Sequence, residues 1–326
     1  MGFEPLRIGV TPWDFGPEGE LGSLPEQAER AEALGFHSLW LPENHFGGRG
    51  AIPAPLLLLA AVAARTSRLR IGTTSLLLPL RHPLHVAAEV AVLDRLSQGR
   101  VILGVGRGFR RATLAAFDVP PAEKRDRFEA ALAVVLDAWR GEPVAWDEAQ
   151  GGDADPTPLQ LAPLPVQKPH PPVWVAAFGP KAVGQAGRLG LPYLASPIEP
   201  IGRLEENYAR HREALPEARR GEPLAVPIMR TIFASRDAEC LRRVREALVS
   251  QAAALAKAPT AALRRAATAD LEDWALVGEP EQVADGVARY REKLGMTHLI
   301  VRAGIPGVPR AEVEASLALL APLADA

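Results

Sequence analysis

Eight short runs of apolar, β-branched and aromatic residues recur along this chain of 326 residues, each with a segment of helical period before or after it. Such alternation implies strand–helix–strand units, and strands joined by helical crossovers lie parallel in one sheet. The runs are LRIGVTP from Leu6, HSLWLPE from His37, RLRIGTTSLLL from Arg68 and RVILGVGRG from Arg100. They continue with PVWVAAF from Pro172, LPYLASP from Leu191, LAVPIMRTIFAS from Leu224 and THLIVRAG from Thr297. Eight is the strand number of a closed (β/α)8 TIM barrel, and the length suits one such domain over residues 1–326 with room for an insertion. An open doubly wound sheet is the structural rival.

Local signals refine the pattern. Ser23 and Glu26 have capping-box spacing before the first helix, and Gly35 is placed to close it. Leu84, Ala88, Ala91 and Leu96 suggest the buried face of a third helix; Phe128, Leu132, Val135 and Trp139 suggest that of a helix over 124–140. The apolar stretch APLLLLAAVAART from Ala54 is shorter than the ~18 residues that would suggest a membrane span, so it predicts a buried helix. From Gly141 to Pro172 periodicity stops while Gly, Asp, Pro and Gln accumulate, and β-α alternation then resumes. This stretch reads as a lid-like insertion after the fourth β-α unit.

A formal charge of -2 without long like-charged blocks gives no electrostatic reason to expect nucleic acid or an anionic membrane, so a small-molecule substrate is expected. Cys240 is the only cysteine, which excludes an internal disulfide and a cysteine metal cage and fits a reducing, cytoplasmic compartment. It reads as core filler. No secretory signal is visible in MGFEPLRIGV. His82 and His85 have no nearby third ligand, so no metal is expected.

The stretch LSQGRVILGVGRGFRR places Gly104, Gly106 and Gly108 in G-x-G-x-G spacing. A dinucleotide fingerprint needs its third glycine one residue later and small residues beyond it, so the Rossmann reading fits poorly. At the C-terminal end of a barrel strand, glycines instead let a ligand approach the backbone, and Arg107 between two of them offers forked donors matched to a phosphate.

LGFHSLWLPENHF, RIGTTSLLLPLRHP and LDRLSQGRVILGVGRGF together resemble the bacterial luciferase-like flavin monooxygenases, and PPVWVAAFGPKAVGQAGRLG and LVGEPEQVADGVARYREKLGMTHLIV extend the likeness over most of the chain. The resemblance implies a (β/α)8 barrel with an insertion, a homodimer, and reduced FMN or the deazaflavin coenzyme F-420 at the strand C-termini. It places Arg107, flanked by Gly106 and Gly108, on the cofactor phosphate, and a non-prolyl cis peptide at Thr74 and Ser75. Gly106 stands where bacterial luciferase has a cysteine. The loop carrying Gly179 and Lys181 falls in a second phosphate-contact region. In PENHF, Glu43, Asn44 and His45 occupy the catalytic segment, but Asn44 replaces the first of two histidines and cannot titrate, so light emission is not expected. His45 matches the second and suits acid/base work.

On this resemblance the expected activity is that of the FMN-using oxygenase of a two-component monooxygenase, fed by a separate flavin reductase. The alternatives are an F-420-dependent dehydrogenase or reductase and a non-catalytic flavin-binding protein. Trp13, Phe46 and Phe109 are candidates to wall an apolar pocket, and Arg230 and Arg302 to face an anionic flavin edge or a substrate.

Overall fold

The computed structural model describes residues 5–16, 19–46, 48, 50–143, 160–255 and 269–324. The strands are β1 (Arg7–Val10), β2 (Ser38–Leu41), β3 (Arg70–Thr73), β4 (Leu76–Leu77), β5 (Val101–Gly106), β6 (Val173–Ala176), β7 (Tyr193–Leu194), β8 (Pro227–Ala234), β9 (Ala275–Gly278) and β10 (His298–Arg302). Every pairing is parallel, in the order β7-β6-β5-β3-β2-β1-β10-β8-β9, with β4 also on β5. The borders meet where Ala195, just past β7, bridges Ile228 of β8; Ala195 N donates to the Pro227 carbonyl at 3.1 Å. This is a parallel α/β sheet of the TIM-barrel type, not an open doubly wound one.

All eight expected runs contain strand, with two departures. The third run divides into β3 and β4 because the chain bulges at Thr74–Ser75, whose peptide is cis. A further strand, β9, pairs with the upper half of β8 outside the ring, from Thr231↔Ala275 to Ala234↔Gly278.

Six strands send Trp40, Ile102, Trp174, Leu194, Met229 and Ile300 into one buried cluster at the centre of the barrel. Trp40 and Trp174 stack there at 4.9 Å. A Cβ on Gly72 would come within 2.4 Å of the Trp40 ring, so glycine at this strand position makes room for the indole. The larger core lies between sheet and helices, and α5 (Lys124–Arg140) buries Phe128, Leu132, Val135 and Trp139, as its periodicity predicts.

Other local expectations change. Before α1 (Leu24–Ala33), Ser23 makes no side-chain cap; its hydroxyl donates to the Asp14 and Glu20 carbonyls instead of closing a box with Glu26. Gly35 does take the left-handed turn, at φ 84°. In α2 (Pro55–Arg65), Leu56, Leu59 and Val62 are buried but Leu57 is exposed. In α3 (Pro83–Leu96), Val86, Ala87, Val90, Ala91 and Leu93 face the core while Leu96 is exposed; only Ala91 of the four expected residues is fully buried. In so apolar a helix several faces satisfy the same spacing, and neighbouring helices choose among them.

The excursion between α5 and β6 lies in part outside the described residues. Its last part, residues 160–172, is fastened beneath the barrel: Gln167 N and Nε2 donate to Asp94 at 2.9 and 2.7 Å, and Arg95 Nε donates to the Leu164 carbonyl at 2.8 Å. A segment between a helix and the next strand emerges at the N-terminal face of the sheet, so this part is no lid over the strand C-termini. Among the described residues no helix is long and apolar enough to cross a membrane.

Candidate active site

The C-terminal ends of β2, β3, β5, β6 and β7 surround a cavity of about 670 Å³, floored by Met229 of β8. That volume lies within the range of cofactor and small-molecule sites. Its mouth is built by the segments after β2 and β5, which touch where Arg110 Nη1 donates to the Phe46 carbonyl at 3.0 Å and where the His45 and Phe117 rings lie 4.6 Å apart.

PENHF stands on the β2 side. Glu43 is fully buried at its carboxylate and accepts from four groups: His45 Nε2 at 2.8 Å, Leu77 N at 2.7 Å, and Arg81 Nη2 and Nε at 2.9 and 3.2 Å. One carboxylate therefore ties the segment after β2 to the end of β4 and aims the imidazole. Because a carboxylate only accepts, His45 Nε2 carries the hydrogen and Nδ1 is the nitrogen left to exchange a proton. Asn44 points elsewhere: its Oδ1 accepts from Ile52 N and its own N donates to the Ile52 carbonyl, which pins the loop after β2. Of the three residues, His45 is suited to proton transfer, Glu43 to orienting it, and Asn44 to loop anchoring.

Across the cavity, Arg107 follows β5 directly and is half-buried with no hydrogen-bond or ion-pair partner among the described residues. Burial, then the charge of Arg125, pushes its pKa down. Lys124, at the start of α5 and also on the cavity wall, is lowered by burial and by Arg107 and Arg111, and its Nζ donates to the Gly108 carbonyl at 3.1 Å. Two partly desolvated cations without a carboxylate partner of their own, Glu43 being taken by His45 and Arg81, form a site for an anion.

Gly108 is left-handed, at φ 69°, so it turns the chain at this wall. Gly106 has a different use for glycine: a Cβ there would lie 2.2 Å from Ser75 Oγ, so its absence leaves room for the Ser75 hydroxyl in this orientation. Thr74 and Ser75 line the cavity, and the cis peptide between them is the one the resemblance implies. Gly179, at φ 84°, caps α6 (Pro180–Arg188) on the cavity wall, whereas Lys181 is exposed and not among the lining residues.

The structure brings Glu43, Asn44, His45, Thr74, Ser75, Gly106, Arg107, Gly108 and Gly179 together around the cavity. Phe46 and Phe109 stand at its mouth. Trp13 does not: it is buried in the core, where its N donates to Gln27 Oε1 at 2.8 Å. Nor does Arg230, which is fully buried and donates to Tyr290 Oη at 2.9 Å and to the Ser196 and Glu199 carbonyls at 2.8 and 2.7 Å. His82 and His85 sit exposed at the start of α3. Cys240 is buried, its Sγ 3.1 Å from Glu312 Oε2. Sequence reasoning missed Arg81 and Lys124; LRHP and the charged start of α5 were the available signals.

The chain is 30% identical over 323 residues, 92% of each protein, to the F420-dependent glucose-6-phosphate dehydrogenase of Kineococcus radiotolerans. It is 31% identical over 163 residues, 48% of this chain and 43% of the relative, to the oxygenase component of the flavin-dependent trigonelline monooxygenase of Acinetobacter baylyi. Its structure superposes on that of monooxygenase RslO1 from Streptomyces bottropensis with a TM-score of 0.80 and 29% identity, covering 97% and 98% of the two chains. With the first curated relatives it matches, the alignment spans about half of their length. The family model for luciferase-like monooxygenases matches residues 8–298, and the chain belongs to that family of enzymes.

Proposed function

We propose that the protein is the FMN-using oxygenase of a two-component monooxygenase that acts on a small organic substrate, with reduced cofactor delivered by a separate reductase. The observation that carries the reading is a single cavity holding an uncompensated Arg107 on one wall and a His45 aimed by Glu43 on another. Bound there, reduced FMN would supply the electrons that let oxygen react with the substrate. Arg107 and Lys124 would hold the cofactor phosphate, while Thr74, Ser75 and Gly106 would bound its ring. His45 would hold or release a proton at Nδ1, Glu43 keeping the ring's orientation fixed through either state. The contacts between the β2 and β5 segments would keep bulk water from the reacting atoms.

A second reading, hydride transfer with coenzyme F-420, is favoured by the full-length likeness to the Kineococcus enzyme. Titrating the purified protein with FMN, reduced FMN and coenzyme F-420 separates the two, with oxygen uptake then followed after mixing. Preferred binding of reduced FMN, with altered kinetics of its reoxidation, is the expected result. Tight deazaflavin binding with negligible FMN affinity overturns it in favour of the second reading, and FMN binding without effect on oxygen reactivity leaves a sequestering protein. His45→Gln should lower turnover by about 10²-fold or more and remove one limb of the pH profile.

A further inference from the structure

One cation at the top of the barrel is not among the residues lining the cavity just described. Arg302 ends β10 and pairs in register with Thr231 of β8, as Ile300 pairs with Met229 two residues earlier. Ile300 and Met229 belong to the cluster inside the barrel, and residues two apart on a strand share a face, so Arg302 and Thr231 point inward one layer nearer the C-terminal end. Met229 lines the cavity floor, which places this pair beside the β8 end of the cavity, on the opposite side of the barrel from β5 and Arg107.

The pair is poorly satisfied. Arg302 Nη2 donates to Gln251 Oε1 of α8 (Ala238–Leu255), but Arg302 Nε and Thr231 Oγ1 are both buried without a hydrogen-bond partner. Among the described residues no carboxylate pairs with the guanidinium, and burial alone holds its pKa below the ordinary arginine value. Arg70, at the other end of the barrel, also has an unpaired Nε, yet its Nη2 reaches the Val101 carbonyl and Gln167 Oε1 and Asp94 offsets its charge. Arg302 has no such compensation. A desolvated guanidinium with spare donors beside an unused hydroxyl is complementary to a forked oxyanion.

We infer that Arg302, with Thr231, seats an oxyanion carried by the substrate, so that the substrate of this barrel is an organic acid or a phosphate ester with an apolar body. The inference rests on the proposed flavin reading only in treating the bound molecule as substrate; binding itself requires no cofactor.

The test is calorimetric titration of the full-length protein with benzoate, phenyl phosphate and neutral benzamide, on wild type, Arg302→Gln, Thr231→Val and Arg107→Ala. Saturable binding of one anionic probe but not of benzamide is expected, weakened at least tenfold in Arg302→Gln and several-fold in Thr231→Val. Stronger binding of benzoate marks a carboxylate substrate, and stronger binding of phenyl phosphate a phosphate ester. Absence of anion binding by wild type, or binding lost in Arg107→Ala yet unchanged in both Arg302→Gln and Thr231→Val, overturns the inference. Thr231→Val removes only a hydroxyl, so it keeps the test valid if Arg302→Gln does not fold. Loss of flavin binding in a parallel titration would defeat the cofactor reading and leave this result standing.

Discussion

Arg100 and Arg107 stand at the two ends of one strand, β5, in opposite circumstances. Below the strand, Arg100 donates to the carbonyls of Ser97, Leu69, Ala63 and Thr66 and to Thr66 Oγ1, all between 2.7 and 2.9 Å. Above it, Arg107 has no acceptor among the described residues and faces a cavity. The contrast extends around the barrel. At the N-terminal end basic groups are offset or neutral: Gln167 and Asp94 offset Arg70, and the half-buried His37 and buried His298 rings lie 5.7 Å apart. At the C-terminal end Arg107, Lys124 and Arg302 keep positive charge without a carboxylate partner. One end of the sheet is closed by its own chain, and the other leaves cations without acidic partners among the described residues.

The comparison breaks most visibly if Arg100 proves dispensable. Arg100→Ala orphans several carbonyls and should cost about 4 kcal/mol in urea unfolding while leaving cofactor affinity per folded molecule unchanged. Next in size is acid sensitivity. Burial, then Arg70 and Arg7, lowers the His37 pKa to about 4; burial, then His37, Arg7 and Arg70, lowers that of His298 to about 3. Between those values and about 6.5 the unfolded chain binds protons that the folded chain refuses, so stability falls as pH drops through this window. The loss from pH 7 to pH 4 should be on the order of 3 kcal/mol for each ring. Unfolding free energies measured across that range should slope less steeply in a His37→Gln/His298→Gln double variant.

At the upper end the effects move from stability to binding. Arg107→Ala should weaken cofactor affinity by about 1.5 to 3 kcal/mol with the urea midpoint unchanged, because it removes a charge-assisted contact that the folded protein itself does not use. Equal affinity in a fluorescence titration would remove Arg107 from the phosphate site. Lys124→Ala should cost about 1 kcal/mol in the same titration, since its Nζ already has the Gly108 carbonyl. Lys181→Ala, exposed and off the cavity wall, should change affinity by less than about 0.5 kcal/mol.

Much of this was legible in the amino-acid order. The strand runs, the buried stripe of α5, the bulge at Thr74–Ser75 and the gathering of Glu43, His45 and Arg107 at strand ends are consequences of local pattern and of recognisable motifs. Strand β9 escaped because four residues paired to half of β8, outside the ring, carry too short a pattern. Trp13 and Arg230 were misplaced for a common reason: whether a residue in or just after a strand reaches the cavity or the core is selected by packing and not by its place in the sequence. For residues 160–172 of the 141–172 excursion the lid reading gives way to topology, because a segment that leads from a helix into the next strand enters from under the sheet.

The sequence by itself determined the parallel βα architecture, because hydrophobic period and turn residues act over a few neighbours and are written in order along the chain. Tertiary structure alone decided the role of Glu43, whose carboxylate gathers Arg81 from 38 positions away and a backbone amide from 34. It alone separated Arg100 and Arg302, one saturated with carbonyls and one left short of them. Whether a buried charge is structural or available for a ligand depends on which acceptors the folded chain brings to it, and those acceptors come from segments remote in sequence.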